Sequence, residues 1–338
     1  MIKVAGMLAA AGPPGDEVGA DGWTGAATAA AFAYAVKSGR LNLPLPGGGR
    51  TRERWAVLAE LAEDDLCLAR LAEGHADALA ILAELGAAPP PAGSRWGVWA
   101  AQPPGPGLVA SRAGGGWRLD GVKRYCSGAH SCTDALVTAA APDGSRLFAV
   151  SAGDLSPVPG SWPAVGMAAS DTLDVRFTGI AAAPVGAPGS YTGRSGFAHG
   201  GAGVAACWYG GARGIGKTLL AAAAGRDLGP HGLAHLGAID IALRTAKTVL
   251  EAAAGEIDAD PGDQNRGWPR ALRVRALLEA TATEVMQRAG RALGAGPLCH
   301  DEAHARRVAD LTVYLRQHHA ERDLAELGAL IAGDGTSW

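Results

Sequence analysis

The sequence predicts an α+β protein with three successive regions, and three observations support this prediction. Apolar residues recur at three- and four-residue steps over residues 51–86, as on one face of a helix. From Arg95 to Ala183, short apolar runs alternate with Gly, Pro and Asp-Gly turns, as between antiparallel strands. After residue 203 the helical period returns and continues. We therefore expect a helical domain over residues 1–92, a β domain over 93–185 and a helical domain over 186–338.

The first region predicts two strong helices and one weaker one. Its apolar period is carried by Trp55, Leu58, Leu61, Leu68, Leu71, Leu79 and Leu82. Asp64-Asp65 can cap the start of the second helix, and Gly86 followed by three prolines ends it. Residues 1–50 contain one Ala-rich helix, Gly25–Ser38, between Gly- and Pro-rich loops.

The second and third regions differ in the length of their apolar segments. In the β region, the predicted strands include Trp117–Leu119, Ala135–Ala139, Leu147–Ser151 and Thr172–Phe177. In the third region, four long helices are predicted over Val204–Arg226, Leu236–Ile257, Pro269–Leu293 and Ala303–Ile331. Four helices of this length are typical of a four-helix bundle.

Composition excludes several classes of function. The 338 residues carry a formal net charge of −3, so the chain lacks the excess positive charge that is typical of proteins that bind nucleic acid or an anionic membrane. The five cysteines are scattered and odd in number, which indicates free thiols in a reducing compartment. The sequence predicts neither a signal peptide nor a membrane span. We expect a soluble, cytoplasmic protein.

Short motifs in this order resemble the acyl-CoA dehydrogenase family over roughly residues 50–330. They are Ala62–Leu71, Trp99-Ala-Ala-Gln-Pro103, Gly121-x-Lys123-x-Tyr125-x-Ser127, Gly166-Met with Ser170-Asp-Thr172, and a last helix with Asp310 and Tyr314. The resemblance implies the fold of that family: an N-terminal helical domain, a β-barrel-like middle domain and a C-terminal four-helix bundle.

The resemblance also implies an FAD cofactor and residues that hold it. Backbone at Ala100, Ala101 and Gln102 and the hydroxyl of Ser127 would reach the polar edge of the flavin ring, with Tyr125 beside it. Arg226 and the glycines Gly290 and Gly294 stand where members approach the cofactor of a neighbouring subunit. The family's Thr after that Arg is Leu228 here, a departure that weakens the assignment. A homodimer or homotetramer is therefore expected.

The reaction implied is oxidation of a CH–CH bond in a small-molecule acyl substrate, but the expected base is missing. Members use a Glu either just after the Tyr of the last helix or on the first bundle helix. Here His318-His319 follow Tyr314, and residues 201–226 contain no acidic side chain. One interpretation gives the base role to His318, whose spacing from Leu311 and Leu315 predicts that it faces inward.

Two alternatives remain open at this point. Flavin monooxygenases of the dibenzothiophene monooxygenase type share the fold and use histidines near the flavin; His75 resembles one of them, with His300 or His304 as its partner. Such an enzyme needs an electron-transfer or flavin-reductase partner. The second alternative is a catalytically degenerate protein that binds flavin or another protein without turnover.

Three further patterns suggest a function at first sight but have a simpler structural explanation. Gly211–Thr218 matches the P-loop pattern, but no alternating strands and helices follow it, so ATP binding is not expected. His300 and His304 resemble a zinc helix, but the Glu is misplaced and no third ligand follows. The aromatic-rich segment Tyr191–Tyr209 is interpreted either as substrate-binding or as packing.

Overall fold

The computed structural model describes residues 25–334, with the side chain of Asp334 excepted. The described chain groups into two compact units. The first contains the described part of Met1–Leu43 together with Arg70–Ala164 and Ala168–Phe197; the second contains Pro44–Ala69, Val165–Met167 and the described part of Ala198–Trp338. None of the described helices is long and apolar enough to cross a bilayer.

The N-terminal helices confirm the apolar period of the sequence. Helix α1 covers Gly25–Lys37, α2 covers Thr51–Asp64 and α3 covers Leu66–Glu84. Asp65 separates α2 from α3, and its carboxylate accepts a hydrogen bond from the backbone N–H of Leu68 at 2.8 Å. This side chain satisfies one of the unpaired N–H groups that every helix start leaves, as predicted for an N-cap.

Seven strands follow. They are β1 Trp96–Trp99, β2 Val109–Ala113, β3 Gly116–Cys126, β4 Asp134–Ala141, β5 Gly144–Ser151, β6 Ser156–Val158 and β7 Leu173–Val185. Pairing runs in the order β1-β4-β2-β3-β7-β5, and β5 also pairs with β4. The strands β4, β2, β3, β7 and β5 therefore close into a ring, which confirms the barrel-like β domain. The pairs β1–β4 and β2–β4 are parallel, a departure from the all-antiparallel prediction.

The barrel has one apolar core inside and a second against its outer face. Trp99, Trp117, Leu119, Phe148 and Phe177 fill the interior and are at most 5% exposed. On the outside, α3 covers the sheet through Ile81 and Leu82, which pack with Leu136 and Leu147. Helix α3 is thus buried against the sheet along the apolar stripe that its sequence predicts.

Of the four predicted C-terminal helices, the first three are longer than predicted, and the fourth is divided into shorter helices. A short turn, α4 Ser190–Gly193, precedes α5 Ser195–Gly225, α6 Gly229–Ala259 and α7 Gln264–Leu293. The predicted helix Ala303–Ile331 is wrong: α8 Gly296–His300, α9 Glu302–Tyr314 and α10 Glu321–Asp334 replace it. A 3₁₀ turn at Leu315–Gln317 and a left-handed Ala320 (φ 50°) end α9 and redirect the backbone. Period alone did not reveal this break, because apolar residues keep helical spacing across it.

Candidate functional site

A β-bulge near the end of β3 determines how Tyr125 is presented. Along β3 the buried residues are Trp117, Leu119 and Lys123, at even spacing, after which the next buried residue is Cys126, three positions on. The pairing of β3 with β7 shifts register over the same interval, and Tyr125 has a positive φ of 61°. That backbone conformation is costly for a bulky residue and often marks a functional position. Here it turns the ring of Tyr125 outward, 51% exposed and edge-on to Trp162.

The end of β1 and the residue after β3 are joined by a buried hydrogen bond. The indole N–H of Trp99, which is 1% exposed, donates to the carbonyl oxygen of Ser127 at 2.9 Å. Ala100 follows Trp99 directly, so the structure brings Ala100 and Ser127 together, two residues that the resemblance assigned to one site. Ala101 and Gln102 continue from this point as exposed residues.

The hydroxyl of Ser127 lies at the end of a chain of three hydroxyl groups. Thr172 Oγ1 donates to Ser127 Oγ at 2.9 Å, and Ser170 Oγ lies 2.7 Å from Thr172 Oγ1. Because Thr172 has a single hydroxyl hydrogen and gives it to Ser127, Ser170 must be the donor to Thr172. Ser127 accepts in this chain and donates to no group within residues 25–334, so its own hydrogen is available to a bound ligand.

Backbone contacts hold this hydroxyl chain to the loop after β3. The N–H groups of Gly128 and Ala129 donate to the carbonyls of Ser170 and Asp171 at 2.9 and 3.0 Å. Gly128 is left-handed (φ 72°), and a Cβ there would lie 2.8 Å from Cys132 Sγ, so only glycine fits. The roles of Ser170 and Thr172 were missed by the sequence analysis, although both belong to a quoted motif. Nothing in the sequence singled out Trp162.

Together these groups fit the polar edge and one face of a flat aromatic cofactor. An exposed aromatic ring offers a wall, the Ser127 hydroxyl offers a hydrogen, and the backbone after β1 lies beside that hydroxyl. All of them belong to the first compact unit.

The remaining predicted cofactor residues belong to the second unit. Arg226 is exposed and follows the last residue of α5. Gly290 lies in the last turn of α7, and Gly294, with φ 70°, closes it by donating its N–H to the Gly290 carbonyl at 2.9 Å. Within the chain these two glycines form a helix C-cap. Their contact with a neighbouring subunit's cofactor stays a prediction.

His318 is buried, but not for the reason that the sequence suggested. It lies in extended backbone after the 3₁₀ turn, not on a helix face, and is 4% exposed. Its Nδ1 accepts the N–H of Ala320 at 3.3 Å, so the neutral ring carries its hydrogen on Nε2. Nε2 is 3.7 Å from Asp323 Oδ2, beyond hydrogen-bond range. Burial lowers the pKa of His318 below its usual value, which keeps the ring neutral near pH 7.

His75 occupies a core position in the first unit. It is 3% exposed, its Nδ1 accepts the backbone N–H of Trp96 at 3.2 Å, and its ring packs edge-on against Phe32. These contacts anchor the first residue of β1 to helix α3. A catalytic role for His75 stays a prediction.

The P-loop pattern lies entirely within helix α5. Gly211–Thr218 is in the middle of this 31-residue helix, so it forms no phosphate-binding loop. A Cβ at Gly211 would lie 2.9 Å from a Leu66 methyl group, and one at Gly214 would lie 2.8 Å from the Glu63 carbonyl oxygen. Lys217 pairs with Glu63. The glycines are there because α5 packs closely against α2 and the start of α3.

The structure also places the residues of the other two patterns. His300 ends α8 whereas His304 lies in α9, where its Nδ1 is 3.1 Å from Thr218 Oγ1. Residues 25–334 hold no cluster of three or more His, Cys, Asp or Glu side chains suited to a metal. In the aromatic segment, Arg194 pairs with Glu84 and lies over the Tyr191 ring. These contacts of Arg194 lie within the first unit, and a substrate-binding role for the segment stays a prediction.

Comparison with solved structures identifies the fold. The structure of KijD3 in complex with FMN and dTDP-3-amino-2,3,6-trideoxy-4-keto-3-methyl-D-glucose superposes with a TM-score of 0.80 and 16% identity, covering 99% of this chain and 93% of that one. The Tcur3481-Tcur3483 steroid ACAD matches with a TM-score of 0.73 and 20% identity over 99% and 94% of the two chains. The chain has the acyl-CoA dehydrogenase fold.

Monooxygenases are also among the structures with this acyl-CoA dehydrogenase fold. FMN-bound TdsC from Paenibacillus sp. A11-2, a protein described as a dibenzothiophene monooxygenase, has a TM-score of 0.74 at 18% identity, covering 90% and 95% of the two chains. Methanesulfinate monooxygenase MsuC from Pseudomonas fluorescens gives 0.73 at 18% identity over 92% and 96%. No family model matches the sequence, and no curated protein is significantly similar to it.

Proposed function

We propose that this chain is a flavin-dependent oxidoreductase and that its reaction is monooxygenation. The flavin ring would lie against Tyr125 and receive a hydrogen bond from Ser127. A bound flavin would supply the redox chemistry, and the protein would supply orientation and hydrogen bonds. FMN in TdsC and KijD3, and the FAD expected from the sequence, carry the same ring, so the site supports a flavin of either kind.

The observation that favours monooxygenation over CH–CH oxidation is the hydrogen-bond state of His318. Proton removal from a substrate carbon needs a base with a free lone pair. The lone pair on Nδ1 of His318 is used by the Ala320 N–H, and Nε2 carries the hydrogen. Helix α5 and residues 315–320 contain no carboxylate. His318 is therefore proposed as a hydrogen-bond donor and not as the base that CH–CH oxidation requires.

The absorbance spectrum and oxygen uptake of the purified protein test this proposal. A monooxygenase should be yellow after incubation with FMN or FAD and should consume oxygen only when a flavin reductase and NAD(P)H are added. Bleaching of the bound flavin by an acyl-CoA without oxygen would instead establish the CH–CH dehydrogenase. Protein that takes up neither flavin would support the degenerate alternative and refute both enzyme proposals.

Ser127→Ala should weaken flavin binding about 3- to 10-fold, because one hydrogen bond to the ring edge is lost. Fluorescence titration of the apoprotein with flavin measures the change. Ser127→Thr, which keeps a hydroxyl, should bind like the parent protein, as should Ser111→Ala at an exposed position on β2. Equal flavin affinity in Ser127→Ala and the parent would remove Ser127 from the site.

His318→Ala should lower oxygen-coupled turnover about 100-fold, the size expected for loss of one positioned hydrogen-bond donor. Because burial lowers the pKa of His318, the neutral donor form persists as the pH falls to about 6.5 and activity should not drop over that range. His318→Gln, which retains an N–H, should lose less activity. The exposed neighbour provides the control: His319→Ala should be unchanged, and equal losses at both positions would contradict the assignment.

A further inference from the structure

An open groove of about 380 Å³ lies in the first unit beside the loop that follows β1. Its walls are residues 101–108 of that loop, Val122–Arg124 of β3, Thr138–Ala140 of β4, and Ser145. This volume suits a small organic molecule. Three prolines stiffen the loop and give the groove an apolar side.

Lys123 lies in this groove with one N–H unused. The side chain is 3% exposed, and its Nζ donates to the carbonyl oxygen and to the hydroxyl of Thr138, both at 2.8 Å. An ammonium group has three hydrogens to donate. Within residues 25–334 the third finds no acceptor.

The charge of Lys123 also lacks a partner in the described chain. No described carboxylate lies within ion-pair distance of its Nζ. Arg124, the next residue, also lines the groove; it is half exposed, and its Nε lies 4.0 Å from Asp174 Oδ2. The Cys126 thiol donates to the Lys123 carbonyl oxygen, and burial raises its pKa, so it remains neutral. Burial lowers the pKa of Lys123 to about 8, so most of the molecules carry a buried, uncompensated cation at pH 7. Such a group is costly unless an anion joins it.

A hydrogen-bond relay connects the groove with the candidate flavin site. Lys123 donates to Thr138 Oγ1, and that hydroxyl donates to the carbonyl oxygen of Ala100 at 3.2 Å. Ala101 and Gln102, predicted to contact the cofactor, line the groove. A ligand bound to Lys123 would therefore lie next to the backbone proposed to hold the ring edge.

We propose that this groove binds a small organic anion whose carboxylate or phosphoryl oxygen accepts the free N–H of Lys123, with its apolar part along the proline-rich loop. The ligand would supply the negative charge that the described part of the chain does not place beside Lys123. All the groups concerned lie in one unit, and the proposal does not require the flavin to be bound.

Calorimetric titration of the full-length protein with butyrate and with butylphosphonate, at constant ionic strength and pH 7, tests the proposal. At least one anion should bind, and whichever binds more tightly distinguishes a carboxylate from a phosphoryl ligand. Lys123→Met, which removes the charge at similar volume, should bind at least about 10-fold more weakly. Arg118→Gln, an exposed residue on the same strand, should leave affinity unchanged. No binding of either anion at 20 mM, or equal binding in Lys123→Met, would overturn the proposal.

A second measurement uses the parent protein and so does not depend on the folding of Lys123→Met. Affinity for butyrate, which is fully ionised throughout this range, should fall about 10-fold between pH 7 and pH 9, because the ammonium loses its proton through a pKa of about 8. Cys126 stays a neutral thiol across this range, and Thr138 and the loop residues do not titrate. Arg124→Gln should retain the same pH dependence. An affinity that does not change with pH would contradict a role for Lys123.

Discussion

Gly210→Ala is expected to destabilise the protein by about 3 kcal/mol or more. A Cβ on this residue of α5 would overlap the carbonyl oxygen of Ala59 and lie 2.9 Å from the Cβ of Ala62. The obstacle is backbone of α2, which cannot rotate away as a side chain could, so the two helices must separate and lose contacts. Chemical denaturation followed by circular dichroism gives the free energy of unfolding.

Gly237→Ala is the matched control for this prediction. Gly237 also lies inside a long helix, α6, but no atom lies within 4 Å of a Cβ added there. The same substitution should therefore stabilise the protein by about 0.5–1 kcal/mol, because alanine favours the helix. If both variants change stability in the same direction, close packing of α5 on α2 does not explain the glycine at position 210.

Asp310→Asn is expected to remove the loss of stability that ionisation of the buried Asp310 carboxyl causes as the pH rises. Burial raises the pKa of Asp310 to about 6, while its Oδ1 accepts the N–H of Met167. In the unfolded chain the same group ionises near pH 3.9. Its protonated form therefore favours folding most at low pH, and this contribution falls as pH rises from about 4 to about 6 and stays low above that. Relative to the parent, Asp310→Asn should gain about 2–3 kcal/mol between pH 4 and pH 7.

Urea denaturation of the parent and of Asp310→Asn at several pH values measures this gain. The contributions of the other titrating groups are the same in both proteins and cancel when the two free energies of unfolding are subtracted. Asn keeps an oxygen for the Met167 N–H, so the hydrogen bond survives. A constant difference between Asp310→Asn and the parent across pH would show that folding does not raise the pKa of Asp310.

The β barrel and the helices were predictable because their signals are local. Apolar alternation and turn residues mark β3, β4, β5 and β7, and the leucine period marks α2 and α3. Asp65 is an N-cap because its side chain reaches N–H groups only three residues away. The order of the short motifs along the chain then indicated the fold. Each motif is weakly specific alone, but few architectures place all of them in this order.

The break between α9 and α10 was not predictable from the apolar period. Leu311, Leu315 and His318 keep helical spacing and all are buried, although the backbone leaves the helix after Tyr314. His318 is therefore buried by the tertiary arrangement and not by a helix face. Its tautomer, which decides whether it can act as a base, depends on the left-handed turn at Ala320.

The sequence by itself determined which segments are helix or strand and that Tyr125 and Ser127 follow one another on a strand end. Only the tertiary structure decided that Tyr125 points outward, that Thr172 orients the Ser127 hydroxyl, and that Lys123 is buried in a groove where residues 25–334 supply no counter-charge. The physical reason is range: backbone preference acts over a few residues, whereas hydrogen-bond partners, burial and charge balance come from residues distant in the chain.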